Sequence, residues 1–132
     1  MSSPSGLPAA CRTALHRLRV RRDVNTVILR CSAPGILVPD LEGNLTHDEL
    51  VHSLPGQQAR LAVHELQFAG HDGSRRTERI LVLWMPPAAA GQEIAYTAAY
   101  DTLKAYLTDV RVHLTARRTE QLRYHRLVTL AG

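Results

Sequence analysis

The sequence predicts an α/β fold of the α+β type, a single-domain mixed β-sheet of about five strands flanked by helices on both faces. Three observations carry that prediction. Hydrophobic spacing alternates between helical and strand periods in the order α-β-β-α-β-β-α-β-α. Strands come in hairpins and are then joined across a helix, which mixes antiparallel and parallel neighbours. The 132 residues, free of repeats and interdomain linkers, amount to about one domain. The expected layout is a flexible start over residues 1–8 and one domain over 9–132.

The elements follow in order. Cys11, Ala14, Leu15 and Leu18 stand at i, i+3, i+4, i+7, the apolar stripe of a first helix whose arginines at 12, 17, 19, 21 and 22 fall mainly off it. Val24 to Cys31 is β-branched, with Val27, Leu29 and Cys31 alternating, and predicts a strand. Pro34-Gly35 signals a turn into a short second strand, Ile36 to Pro39, and Asp40 to Asn44 is expected as loop. Thr46 and Glu49 form a capping box for a short helix ending near Ser53, where Leu54-Pro55-Gly56 stops it. Arg60 to Phe68 and Glu78 to Met85 are the next two strands, joined by a polar hairpin loop, Gly70 to Thr77, that carries Arg75-Arg76. After Pro86-Pro87, Gln92 to Leu107 is the long helix, with Ile94, Ala95, Ala98, Leu103 and Leu107 available for one face. Asp109 to Thr115 alternates as a last strand, and Thr119, an expected N-cap, opens a final helix to Leu130.

A chain that is 45% hydrophobic and 21% charged is globular rather than disordered or fibrous. Its longest uncharged apolar run, Ile80 to Ala90, is broken by prolines and is shorter than the roughly 20 residues a membrane span requires, so no membrane insertion is expected. The start lacks the basic and apolar regions of a secretory signal, and a cytoplasmic protein is expected. Cys11 and Cys31 are too few and too far apart for a disulfide scaffold or a CxxC site and are expected as reduced core residues. Charge is segmented: residues 1–30 carry a net +5, residues 31–74 a net −5 and residues 75–132 a net +4, with 15 of 16 basic residues arginine. Such segmentation suits a partner with acidic patches. Nucleic acid is the weaker partner, because only 5% of residues are aromatic and could stack bases.

Chemical motifs are absent. The chain has no GxSxG, GxxxxGK[ST], GxGxxG, HExxH or CxxC pattern. Its histidines (16, 47, 52, 64, 71, 113, 125) include no i, i+4 pair, so no metal site and no cofactor are expected, and the histidines are read as neutral surface or rim groups. The cap and the helix dipole account for Asp48 and Glu49 without catalysis. The chain is expected to act by binding rather than as an enzyme, and as a monomer.

The element order, the run Ile80-Leu-Val-Leu-Trp84-Met-Pro86 and the long helix with Tyr96 resemble the actin-depolymerizing-factor homology domain over residues about 9–130. Within that superfamily the middle of the chain resembles glia maturation factors most. Arg19-Val-Arg-Arg-Asp23-Val-Asn25, Leu41-Glu-Gly43, Asp48-Glu-Leu50, Leu54 to Arg60, His71-Asp-Gly73 and Thr119 to Leu122 follow in that order and spacing. Cofilin-type members grip actin with a basic pair before the helix tyrosine and a Ser-Ser-Lys cluster after it; here those positions read Gly91 and Glu93, then Ala98, Ala99 and Tyr100. Other features are more cofilin-like: Trp84-Met-Pro86, the phosphorylatable start Ser2-Ser3-Pro-Ser5, and the absence from Arg123-Tyr-His-Arg126 of an acidic-aromatic run.

The resemblance implies a cytoskeleton-associated partner: the actin-related protein two/three complex, with filament debranching and inhibition of branched nucleation, or alternatively actin itself, with severing or depolymerization. It implies two contact faces. One joins the start, with Ser3, to the exposed side of the long helix, with Gln92, Tyr96, Thr97 and Tyr100; packing of Tyr96 into the core is the equal alternative. The other joins Arg75 and Arg76 to Arg118, Glu120 and Arg123, while Arg19, Arg21 and Arg22 form a third, basic cluster. Trp84 is expected in the core.

Overall fold

The computed structural model describes residues 7–33 and 36–132. Twelve segments alternate as the sequence expects: helix α1 (Ala9–His16) running into a π turn (Arg17–Arg21), strands β1 (Thr26–Ala33) and β2 (Ile36–Gly43), helix α2 (His47–Ser53), strands β3 (Arg60–Ala69) and β4 (Arg75–Trp84), a 3-10 turn (Pro87–Gln92), helix α3 (Glu93–Tyr106), strand β5 (Val112–Ala116), a 3-10 turn (Thr119–Leu122) and helix α4 (Tyr124–Ala131). The five strands lie in the order β2-β1-β3-β4-β5. Neighbours are antiparallel except β4 and β5, which α3 joins as a parallel crossover.

The pleat divides the core in two. Val27, Leu29, Leu61, Val63, Leu81 and Leu83 face Cys11, Leu15 and Leu18 of α1 and Tyr96, Tyr100 and Leu103 of α3. The alternate residues Ile28, Ala62, Leu66, Ile80, Val82 and Trp84 face Leu50 of α2 and Leu122 and Leu127 before and within α4. Central strands apolar on both sides are what a helix layer on each face demands.

Several expectations shift. Asp40 to Gly43 continues β2 rather than looping, because Thr26 pairs with Gly43 and Ile28 with Leu41 across register shifts in β1. Arg75 and Arg76 belong to β4, since the turn closes earlier: Gly73 adopts φ +82, and Ser74 N–H and Oγ–H bond the Asp72 carboxylate. The last strand starts only at Val112, because Asp109 is drawn to arginines elsewhere and the Val110 N–H closes a turn on the Leu107 carbonyl. The final helix is broken at Arg123, whose ψ of 138 is not helical, and Arg118 rather than Thr119 stands at the cap of the preceding turn. The capping box of α2 is present: Glu49 N–H donates to Thr46 Oγ1 at 3.1 Å and Thr46 N–H to Glu49 Oε1 at 2.8 Å. Leu7, within the start expected to be flexible, is 2% exposed and joins the core beside α1. Ser3 and the turn expected at Pro34-Gly35 lie outside the described residues.

Candidate functional site

Helix α3 has one face in the core and one bare. Tyr96, Tyr100 and Leu103, continued by Leu107, form the inward stripe. Cys31 N–H donates to Tyr96 Oη at 2.9 Å, and the Lys104 ammonium lies 4.6 Å from the centre of the Tyr100 ring. Burial raises the pKa of both phenols. Tyr96, for which an exposed contact and core packing stood as equal alternatives, is 3% exposed, and Tyr100, expected as an exposed contact, is buried too. Gln92 also works inward, its Oε1 accepting from Ala59 N–H at 2.9 Å and tying the head of α3 to the start of β3. Of the residues expected on this helix, Gln92 and Thr97 are exposed.

The outer face instead runs through Ile94, Thr97, Ala98 and Asp101, at i, i+3, i+4, i+7. Ile94 is 89% exposed, the most exposed large apolar side chain among the described residues. The sequence placed Ile94 and Ala98 on the buried side; the two phases differ by a fraction of a turn, and the large tyrosine rings, with more area to bury, win the inward one. Beside Ile94, Glu93 pairs with Arg117 at 2.8 Å, so its charge is countered within the molecule. The outcome is an apolar knob at the head of a helix of small side chains, clamped from behind by a packed core.

The second expected face is divided along β4, with Arg75 and Arg76 at one end and Arg118 near the other. Arg75 and Arg76 pair with Ala69 and Phe68, whereas Ala116, just before Arg118, pairs with Trp84 at the far end of β4. Eight residues of strand separate Arg76 from Trp84, about 26 Å. Arg76 is exposed and lies over the Phe68 ring at 5.7 Å. Arg118 and Glu120 pair with each other at 3.8 Å, and Arg123 is exposed between the 3-10 turn and α4.

In the third cluster Arg19 is bound into an ion-pair network. Arg19 reaches Asp109 at 3.0 Å and lies over Tyr106; Arg79 binds Asp109 at 2.6 Å and the buried Glu65 at 3.2 Å and donates to the Arg19 carbonyl. Burial opposes ionisation of Asp109, but Arg19, and Arg79 after it, override this and hold its carboxyl below the usual range. Arg22, in the left-handed region at φ 59, sits 3.9 Å from Glu65, and Arg21 is 3.8 Å from Asp23. Arg21 and Arg22 are exposed, their side chains 65% and 61% accessible.

Two residues depart from their expected surroundings. His64, expected at the surface or rim, is 2% exposed in the middle of β3, opposite Thr26. Burial, with His47 nearby, lowers its pKa to about 4. Cys31 is half-buried rather than fully in the core, whereas Cys11 is buried, its thiol raised to about 11. Among the described residues no three His, Cys, Asp or Glu side chains are placed to hold a metal ion, and no helix is long and apolar enough to cross a membrane.

Fold and face together define a mixed-sheet domain that displays one bare helix face. The profile of the family described as cofilin/tropomyosin-type actin-binding protein matches residues 5–130. The chain belongs to that family. Actin-depolymerizing factor 7 of Arabidopsis thaliana is 23% identical over 117 residues, covering 86% of this chain and 85% of the relative. Actophorin of Acanthamoeba castellanii is 27% identical over 93 residues, 69% of this chain and 67% of that protein. Among solved structures, Streptomyces griseoflavus cofilin superposes with a TM-score of 0.85 at 20% identity, over 96% of each chain.

Proposed function

We propose that this protein binds actin through the outer face of α3, with Ile94 as the anchor and Thr97, Ala98 and Asp101 as the flat surface behind it. It acts by binding alone, as a cytoskeleton-associated monomer that depolymerizes or severs filaments. The observation that carries the reading is Ile94 at 89% exposure on a helix whose other face is fully packed. An isolated isoleucine so placed is costly to leave in water and gains most by entering a partner's apolar cleft. Membership of an actin-binding family and similarity to proteins named actin-depolymerizing factors support it.

A second reading, release of branches at the actin-related protein two/three complex, draws on Glu93, which stands where the resemblance puts one of the basic pair with which cofilin-type members grip actin. Single-filament microscopy of pre-formed branched actin separates the two. Shortening of unbranched filaments supports the first, and branch loss with intact mother filaments supports the second. Ile94→Asp is expected to lower actin affinity more than about tenfold, since it sets a charge in an apolar contact, with the thermal midpoint unchanged because the site is exposed. Unchanged affinity would remove Ile94 from the interface.

A further inference from the structure

On the sheet face opposite α3, the hydrogen bonds around His64 specify what its free nitrogen is. Asn25 Oδ1 accepts from Leu45 N–H at 2.8 Å and Asn25 Nδ2 donates to the Leu45 carbonyl at 3.0 Å, which settles the orientation of the amide. Thr26 Oγ1 lies 2.7 Å from Asn25 Oδ1, an atom that can only accept, so the hydroxyl proton points there. The same Oγ1 lies 2.7 Å from His64 Nδ1 and, its proton committed, accepts from the ring. His64 therefore carries its hydrogen on Nδ1 and presents Nε2 as a bare lone pair. The side chain is 98% removed from solvent, yet it lines a cleft of about 330 Å³, and no group among the described residues bonds Nε2.

Beside the donors of the Gln67 amide and the Thr46 hydroxyl, the cleft offers further acceptors. His47 Nε2 donates to the Leu122 carbonyl, and its Nδ1 lies 3.7 Å from Asp48 Oδ1. Glu49 Oε1 takes the Thr46 N–H and leaves the second carboxylate oxygen, and Glu49 pairs with no cation among the described residues. Asn44 Nδ2 donates to the Asp23 carbonyl, leaving Oδ1. The other carboxylate of the cleft, Glu65, is already met by Arg79 and Arg22. Asp48 and Glu49 in the first turn of α2 counter the positive end of that short helix. A bare imidazole lone pair beside a carboxylate oxygen that no side-chain cation meets among the described residues suits a cation rich in donors, and the cleft's volume is at the small end of the roughly 300–1,000 Å³ of ligand sites.

We propose that this cleft binds a protonated primary amine, its three N–H donors directed at His64 Nε2, the Glu49 carboxylate and Asn44 Oδ1. The amine is either a free alkylammonium or the lysyl head group of a partner chain. The site is independent of the actin-binding reading, since it lies on the other layer of the molecule.

The test uses the whole protein labelled with ¹⁵N in histidine, whose long-range proton–nitrogen spectra distinguish the tautomers. At neutral pH His64 is expected in the Nδ1–H form. Its Nε2 resonance should shift on titration with n-butylammonium, saturating with a dissociation constant on the order of 1 mM. Sodium butyrate and n-butanol should leave it in place. Glu49→Gln keeps the capping box, because glutamine reaches back equally well, and should weaken the amine about tenfold by loss of the charge. Nα-acetyl-lysine methylamide binding at least tenfold tighter than butylammonium assigns the amine to a partner's lysine; equal affinity assigns it to a free amine. An Nε2–H tautomer, a shift that does not saturate or that butanol and butyrate reproduce, or full affinity in Glu49→Gln would each overturn the proposal.

Discussion

Tyr96 is held by both ends of its chemistry: the ring packs against α1 and the sheet, and the phenol oxygen satisfies the amide of Cys31. Tyr96→Phe should keep the packing and orphan that amide, costing about 1–2 kcal/mol in denaturant unfolding while leaving actin affinity unchanged. A large loss of affinity at constant stability would return the residue to the interface. His64 makes a prediction about pH. Its pKa falls from the ordinary 6.5 to about 4 on folding, so between those values the unfolded chain binds the extra proton. Stability should thus be full above about pH 6.5, decline as pH falls toward 4, and level off below, with a total loss of about 3 kcal/mol from this residue. Thermal midpoints measured across that window for the wild type and His64→Gln check it: the variant should show the shallower slope. The sequence contained both residues plainly, but tyrosine is amphipathic and histidine titratable, so only their neighbours decide whether they face a partner, the core or a buried cleft.

The elements fared according to how local their causes are. The α2 cap depends on four consecutive positions, Thr46 to Glu49, and was legible from them. Thr46→Ala should cost about 1 kcal/mol of stability by equilibrium unfolding, since it leaves the Glu49 N–H without its acceptor. No change would mean that solvent replaces the cap fully. Element ends set by distant partners were not legible. The hydrogen bonds that carry β2 on to Gly43 come from β1, and the late start of β5 reflects Arg19 and Arg79 taking Asp109, 90 and 30 positions away in sequence. The phase of α3 belongs here as well. Ile94 and Ala98 satisfy an apolar helical period as well as Tyr96 and Tyr100 do, and sequence spacing offers no means of choosing between two overlapping stripes.

At the scale of the molecule, β1, β3 and β4 supply both core layers, so neither layer can come apart alone. Trp84 belongs to the layer of α2 and α4, with its indole N–H donating to the Pro55 carbonyl, and α1 and α3 belong to the other. Denaturant transitions followed by Trp84 fluorescence and by helix ellipticity should therefore coincide, as a two-state chain of this size requires. Separate midpoints would mean that α1 or α3 detaches independently. The sequence by itself determined the class of fold, the order of the elements and the two-sided burial of the central strands, because these rest on period, caps and turns that neighbouring residues settle among themselves, and the family through the resemblance of runs such as Ile80 to Pro86. Only the tertiary structure decided which face of α3 remains bare, that Arg19 and Arg79 are bound into an ion-pair network, that Arg76 and Arg118 lie far apart, and that His64 opens into a cleft. Those outcomes depend on which of several equally periodic side chains gains most from burial, and on pairings between residues far apart in the chain, neither of which local spacing records.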